Sequence, residues 1–112
     1  MKVAIISSHE YKEKVLAYGK ELVSKYGYEV FFPAWDSHPE LDELGICEHN
    51  KKNIKSADRI DIFWDQRSLG TVFDFGMTFM ADKPIKIIYI ESKTFKGVME
   101  KYAEKWLKPL VI

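Results

Sequence analysis

Apolar residues in this chain fall into short continuous runs separated by longer stretches of helical spacing. The runs Lys2 to Ser7, Tyr28 to Phe32, Arg59 to Trp64 and Ile85 to Ile90 read as strands buried in a parallel sheet. Between the first two, Ser7 and Glu10 have capping-box spacing, and Tyr11, Val15, Tyr18, Leu22 and Tyr26 repeat at helical intervals until Gly27. Ile46 to Ser56 predicts a second helix, about Gly70 to Asp82 a third, and Thr94 to Leu107 a fourth with Phe95, Val98, Met99, Tyr102 and Trp106 on one face. Pro109 to Ile112 fits a short edge strand. Strands alternating with helices predict one α/β domain over residues 1–112, a flavodoxin- or Rossmann-like doubly wound parallel sheet of about five strands with helices on both faces.

The stretch Ser68 to Pro84 stands out. On a wheel of about 100° per residue, Thr71, Asp74 and Thr78 share one stripe, while Val72, Phe73, Phe75, Met77, Phe79, Met80 and Ala81 occupy most of the rest. Such a helix is expected to be buried on more than one side, with Asp74 facing a cavity or hydrogen-bond partners. Two readings stay open. Thr71 and Asp74 are spaced as a capping box, and the same carboxylate can line a ligand pocket. The apolar surplus also predicts a homodimer or higher homo-oligomer that buries Phe73, Met77 and Met80.

Composition narrows the function classes. In 112 residues, 17 basic and 17 acidic side chains cancel, so no general surface for a nucleic-acid polymer or an anionic membrane is expected. The lone Cys47, read as an ordinary buried thiol, excludes an internal disulfide framework and fits a reducing, cytoplasmic setting. No apolar run reaches membrane-spanning length. His9, His38 and His49 form no zinc spacing, and the acidic loop Pro33 to Gly45, with Trp35, Asp36, His38, Glu40, Asp42 and Glu43, has no EF-hand pattern, so no metal is expected. Neither G-x-G-x-x-G nor a P-loop is present, and no cofactor is expected.

In a doubly wound sheet, ligands bind beyond the carboxyl ends of the strands. Those ends carry Ser7-Ser8-His9 and Asp65-Gln66-Arg67-Ser68, with Asp74 on the helix that follows. The turn from Ser68 through Gly70 to Thr71 offers hydroxyls and backbone N–H groups at a helix N-terminus, a contact point for a phosphate or a sugar. A carboxylate one turn further on suits a cationic, oxocarbenium-like transition state.

These residues resemble the nucleoside 2-deoxyribosyltransferases and their relatives, the 2′-deoxynucleoside 5′-monophosphate N-glycosidases. Ala57-Asp58-Arg59-Ile60-Asp61-Ile62-Phe63, then Ser68-Leu69-Gly70-Thr71-Val72-Phe73-Asp74-Phe75-Gly76, then Lys83-Pro84-Ile85 are similar to the family's A-D-strand, its S/D-x-G-T-x-x-E-x-G helix start and its G-K-P strand entry. In that family the glutamate attacks the anomeric carbon of deoxyribose, releases the base, and leaves a covalent sugar for water or another base. Asp74 stands at that position, one methylene shorter. Asn50 stands where relatives place an aspartate that serves as general acid or sugar ligand, with Glu48 and Asp65 as other acids within reach in sequence. Ser68 resembles the serine that the monophosphate glycosidases use near the substrate phosphate.

The resemblance implies an enzyme acting on the N-glycosidic bond of a small deoxynucleoside or deoxynucleoside 5′-monophosphate. Asp74 would be the nucleophile, with Asn50 and Asp65 orienting the sugar. Ser68, Gly70 and Thr71 would hold the 5′ end, and Ser7, Ser8 and His9 would line the substrate pocket; Trp35 or Tyr11 would be available to stack on a base. The alternatives are a non-catalytic nucleotide-binding module and a structural domain whose polar stripe is only a cap.

Overall fold

Four of the apolar runs become strands in the computed structural model, which describes residues 1–35, 38–90 and 95–110. These are β1 (Lys2–Ile6), β2 (Glu29–Phe31), β3 (Arg59–Trp64) and β4 (Ile85–Tyr89), all parallel, in the order β2-β1-β3-β4. The sheet thus has four strands among the described residues rather than about five. Pro109 and Leu110 extend the last helix instead of forming an edge strand, and Val111 and Ile112 lie outside the described residues. Asp36 and Thr94 also lie outside them.

The helices are α1 (Lys12–Tyr26), α2 (Glu43–Ser56), α3 (Leu69–Met80) and α4 (Phe95–Leu110). Side chains alternate across β3. Ile60 and Ile62 join Ala4, Ile6 and Ile54 of α2 on one face, with Phe75 and Met77 of α3 packed against them; Phe63 joins Ile5 and Val15 of α1 on the other. Helices therefore flank the sheet on both sides.

Local chemistry sets the helix ends. The first cap is Ser8, not Ser7: its hydroxyl accepts from Glu10 N–H and opens a single 3-10 turn, His9–Tyr11, ahead of α1. Gly27 closes α1 at φ 65°, a left-handed conformation that glycine adopts without a Cβ clash. Gly19 has a different task. A Cβ there would stand 2.3 Å from the Phe32 ring, so its absence lets α1 settle onto the chain leaving β2. Within the acidic loop, Asp42 accepts from Gly45 N–H at 2.7 Å, which starts α2 at Glu43, earlier than its apolar spacing indicates. The lysine of Lys83-Pro84 donates to the carbonyls of Lys55 and Ala57, both at 2.9 Å, and so closes the far end of α2.

A buried ion pair lies inside β3. Asp61 is fully buried and accepts two bonds from the Arg59 guanidinium, at 2.7 and 2.9 Å, and one from the Tyr18 hydroxyl at 2.5 Å. The Asp61 bond raises the basicity of Arg59, and burial followed by Asp61 raises the Tyr18 pKa. Cys47 is a half-buried free thiol, not a fully buried one.

The orientation of α3 differs from the expectation of a helix buried on several sides. Its polar stripe faces inward, with Thr71 and Thr78 buried and Asp74 half-buried, whereas Leu69, Val72, Phe73, Phe79 and Met80 are exposed. Only Phe75 and Met77 flank the core.

Candidate functional site

The strand order reverses between β1 and β3: the chain leaves β1 for β2 on one side and crosses back to β3 on the other. The crevice at such a reversal opens at the carboxyl ends of the strands. Ser7 follows β1 there, Asp65 follows β3, and α3 begins just beyond.

The loop between β3 and α3 is tied by Asp65. This carboxylate is 3% exposed and accepts from Arg67 N–H at 2.9 Å and Ser68 N–H at 3.1 Å. Burial pushes its pKa up, but these backbone N–H groups and the Tyr11 hydroxyl outweigh that and hold it below the usual carboxylate range. Tyr11 responds in the other direction, raised by its burial and then by the Asp65 charge. Gln66 takes φ 64° inside this turn. Asp65 thus arrives at the site engaged in shaping the loop, and a carboxylate whose pKa is lowered in this way is suited to accepting hydrogen bonds rather than delivering protons.

The loop delivers the start of α3. Ser68 is its N-cap and accepts from Thr71 N–H at 3.2 Å, so the cap lies one turn earlier than a Thr71–Asp74 capping box. That pairing does not form. Thr71 is 1% exposed, and its Oγ1 is a buried side-chain oxygen with no hydrogen-bond partner among the described residues. Gly70 is exposed beside it, with nothing but the Ser68 hydroxyl, at 3.8 Å, near the space a Cβ would fill.

Asp74, one turn on, is released from capping. Its Oδ2 accepts from the Asn50 side-chain amide of α2 at 3.4 Å, and its backbone carbonyl accepts from the Thr78 hydroxyl at 2.8 Å. Burial raises its pKa from 3.8 to about 6, and the Asn50 amide pulls weakly the other way. The carboxylate is therefore ionised at neutral pH but more basic than a solvated aspartate, a property suited to a nucleophile or a general base. Asn50 and Asp74, far apart in the chain, are brought together by α2 and α3.

The β1 end forms a second set of contacts. The Trp35 indole N–H donates to the Ser7 carbonyl at 3.4 Å, and the His9 ring stands edge-on to Trp35 with centroids 6.2 Å apart. The Ser7 hydroxyl donates to the Ser8 carbonyl, and the Ser8 hydroxyl is engaged as a cap. Glu48 is exposed on α2 beside Lys51 and Lys52, on a different face from Asn50's contact with Asp74. His38 meets Glu40 at 3.1 Å and lies 4.5 Å from the His49 ring. Among the described residues, no group of His, Cys, Asp and Glu could hold a metal ion, and no helix is long and apolar enough to cross a membrane.

Two contacts escape a reading from sequence. The Tyr11 hydroxyl is engaged with Asp65, and the Asp61–Arg59–Tyr18 network is buried under α1. An aspartate in the middle of an apolar strand is the one signal that pointed to the latter.

Comparison with solved structures bears on the fold. No family model and no curated protein sequence matches the chain. The fold is similar to that of the CMP N-glycosidase BcmB of Clostridium botulinum, with a TM-score of 0.58 at 16% identity, over 94% of this chain and 99% of that one. The C-terminal catalytic domain of ISC1926 TnpA, an IS607-like serine recombinase, aligns over 92% of this chain and 79% of its own at 18% identity and a TM-score of 0.48. This chain is a small α/β domain of Rossmann-like architecture, with its candidate carboxylate on the helix that leaves the carboxyl end of β3.

Proposed function

We propose that this chain is a nucleoside 2-deoxyribosyltransferase-like protein that cleaves or transfers the N-glycosidic bond of a deoxynucleoside or deoxynucleoside 5′-monophosphate. The observation that carries the reading is Asp74: a half-buried carboxylate on the helix that leaves the carboxyl end of β3, not used as a cap, hydrogen-bonded to the Asn50 amide, with its pKa raised to about 6. The likeness in fold to a CMP N-glycosidase supports it.

In this reading Asp74 attacks the anomeric carbon as the glycosidic C–N bond breaks. The base leaves with the bonding pair and takes a proton from water, since Asn50 has none to give at neutral pH. Water, or a second base, then displaces the Asp74 carboxylate from the sugar. Asn50 orients the carboxylate and the sugar, and Asp65 acts through the loop it ties. Ser68, Gly70 and Thr71 receive the 5′ end, and the partnerless Thr71 hydroxyl is a feature that a polar ligand group would relieve. Ser7, Ser8, His9 and the neighbouring Trp35 form the opposite wall. The protein acts as a cytoplasmic homodimer joined through the exposed face of α3, including Phe73 and Met80.

One observation favours a second reading, a nucleotide-binding module without catalysis: the position facing Asp74 holds an amide instead of an acid. Incubation with a panel of deoxynucleosides and their 5′-monophosphates, followed by chromatography for free base, separates the two. Base release that is abolished in Asp74→Ala is expected. Saturable binding with no release would leave only the module, and full turnover in Asp74→Ala would remove Asp74 as nucleophile.

A further inference from the structure

We infer that α4 is an exchanged arm: in the homodimer, each copy lays its α4 into the groove between α3 and β4 of the other. The groove is visible in one chain. Ile85, Ile87 and Tyr89 of β4 are 41%, 41% and 71% exposed, although a strand of an α/β sheet is normally covered on both faces. Along this strand run two adjoining hollows, about 120 Å³ lined by Ile62, Trp64, Phe75, Ile87 and Tyr89, and about 310 Å³ bounded by Phe75, Phe79 and Ile85 with Asp82 and Lys83 at its mouth. Phe75 borders both, so the two hollows lie side by side along α3 and the apolar side chains of β4.

The matching helix stands outside it. Phe95, Val98, Met99, Tyr102 and Trp106 recur at helical spacing along α4 and are 86%, 63%, 67%, 60% and 55% exposed. The chain is drawn out to 63 × 34 × 27 Å with a radius of gyration of 18.3 Å, against about 13 Å for a compact domain near this length. A bare apolar surface on β4 and an amphipathic helix with an exposed apolar stripe thus coexist among the described residues.

The occupant is a second copy for two reasons. Refolding α4 onto its own groove would still leave Leu69, Val72, Phe73 and Met80 bare on the outer side of α3, whereas a two-fold pair brings these faces together beside the exchanged helices. The area is also sufficient. With aromatic side chains burying about 150–250 Å² each, the exposed parts of Phe95, Tyr102 and Trp106 represent roughly 400 Å² per arm. Two arms and two grooves then bury roughly 1,600 Å², the size of a standard stable interface.

This inference rests on the homodimer of the preceding reading but not on its chemistry. Light scattering at micromolar concentration is expected to give a dimer for the unaltered chain and a monomer for the double variant Met99→Lys/Tyr102→Lys. Both substituted residues are exposed in a single chain, so far-UV circular dichroism should be retained. A second measurement uses Cys47→Ser chains carrying either Ile87→Cys or Met99→Cys, refolded together and oxidised; the mixture, and neither alone, is expected to form a covalent dimer of the two different chains. A monomeric unaltered protein would overturn both the exchange and the homodimer. A dimer that survives the lysine substitutions, or a disulfide that closes within one chain carrying both cysteines, would overturn the exchange while leaving a dimer through α3 standing.

Discussion

Replacing Asp74 with asparagine should stabilise the fold at neutral pH while removing the candidate nucleophile. Burial raises the Asp74 pKa from 3.8 to about 6, so the native state holds this proton more tightly than the unfolded chain does. Between those two values the native carboxyl is protonated while the unfolded one is not, and stability falls as pH rises through the window. Above about pH 6 both states are ionised and the full penalty remains. At about 1.4 kcal/mol per pKa unit, a shift of about two units destabilises the neutral-pH fold by roughly 2–3 kcal/mol, the lower figure allowing for the partial exposure of the carboxyl. Asparagine at 74 keeps an oxygen for the Asn50 amide and carries no charge, so it escapes this penalty.

Urea denaturation of both proteins at pH 4.5 and pH 7.5 tests the reasoning. At pH 4.5 the native carboxyl is neutral while the unfolded one is largely ionised, so about a third of the penalty is already present and Asp74→Asn should be more stable by no more than roughly 1 kcal/mol. At pH 7.5 Asp74→Asn should be more stable by roughly 2 kcal/mol, equivalent to about 8 °C in Tm at about 4 °C per kcal/mol. Equal stabilities at pH 7.5, or a difference independent of pH, would mean that Asp74 is solvated and that its basicity owes nothing to the site.

Base release should rise with pH along a limb centred near 6 as Asp74 ionises, and a rate profile flat from pH 5 to 8 would contradict that assignment. Asn50→Asp sets a second carboxyl within hydrogen-bond distance of the first, and because two adjacent carboxyls resist double ionisation, the limb should move to higher pH. Gly19→Ala forces a Cβ toward the Phe32 ring and should cost about 1–3 kcal/mol in urea denaturation, with the far-UV spectrum unchanged. Arg59→Ala leaves the fully buried Asp61 without its cation and should cost about 3–5 kcal/mol, more than any substitution of an exposed lysine.

What could be read from the sequence divides along physical lines. The bounds of β3 follow from its apolar run, and the position of the candidate site follows from which loops the carboxyl ends of strands must carry. Caps were harder. Ser7 and Ser8, like Ser68 and Thr71, each offer two hydroxyls near a helix start, and only backbone geometry selects between them. The start of α2 was hidden because its cap, Asp42, sits among other acids in a polar loop. The missing fifth strand was a matter of length, since α4 runs to Leu110. Periodicity identified the stripes of α3 but not which one faces the sheet. That choice depends on what the rest of the molecule provides.

The orientation of α3 ties the candidate site to the proposed homodimer. Ser68 and the Asp65 loop fix where the helix begins, and that phase turns Thr71, Asp74 and Thr78 toward the sheet and Phe73 and Met80 away from it. In a lone chain the arrangement is doubly unfavourable: a carboxylate is partly desolvated on the inside, and large apolar groups meet water on the outside. Rotating the helix would relieve both, at the loss of the Asn50–Asp74 contact. In the proposed homodimer, burial of the outer face by a second copy would remove the incentive to rotate, and the geometry around Asp74 and the integrity of the dimer would then fail together.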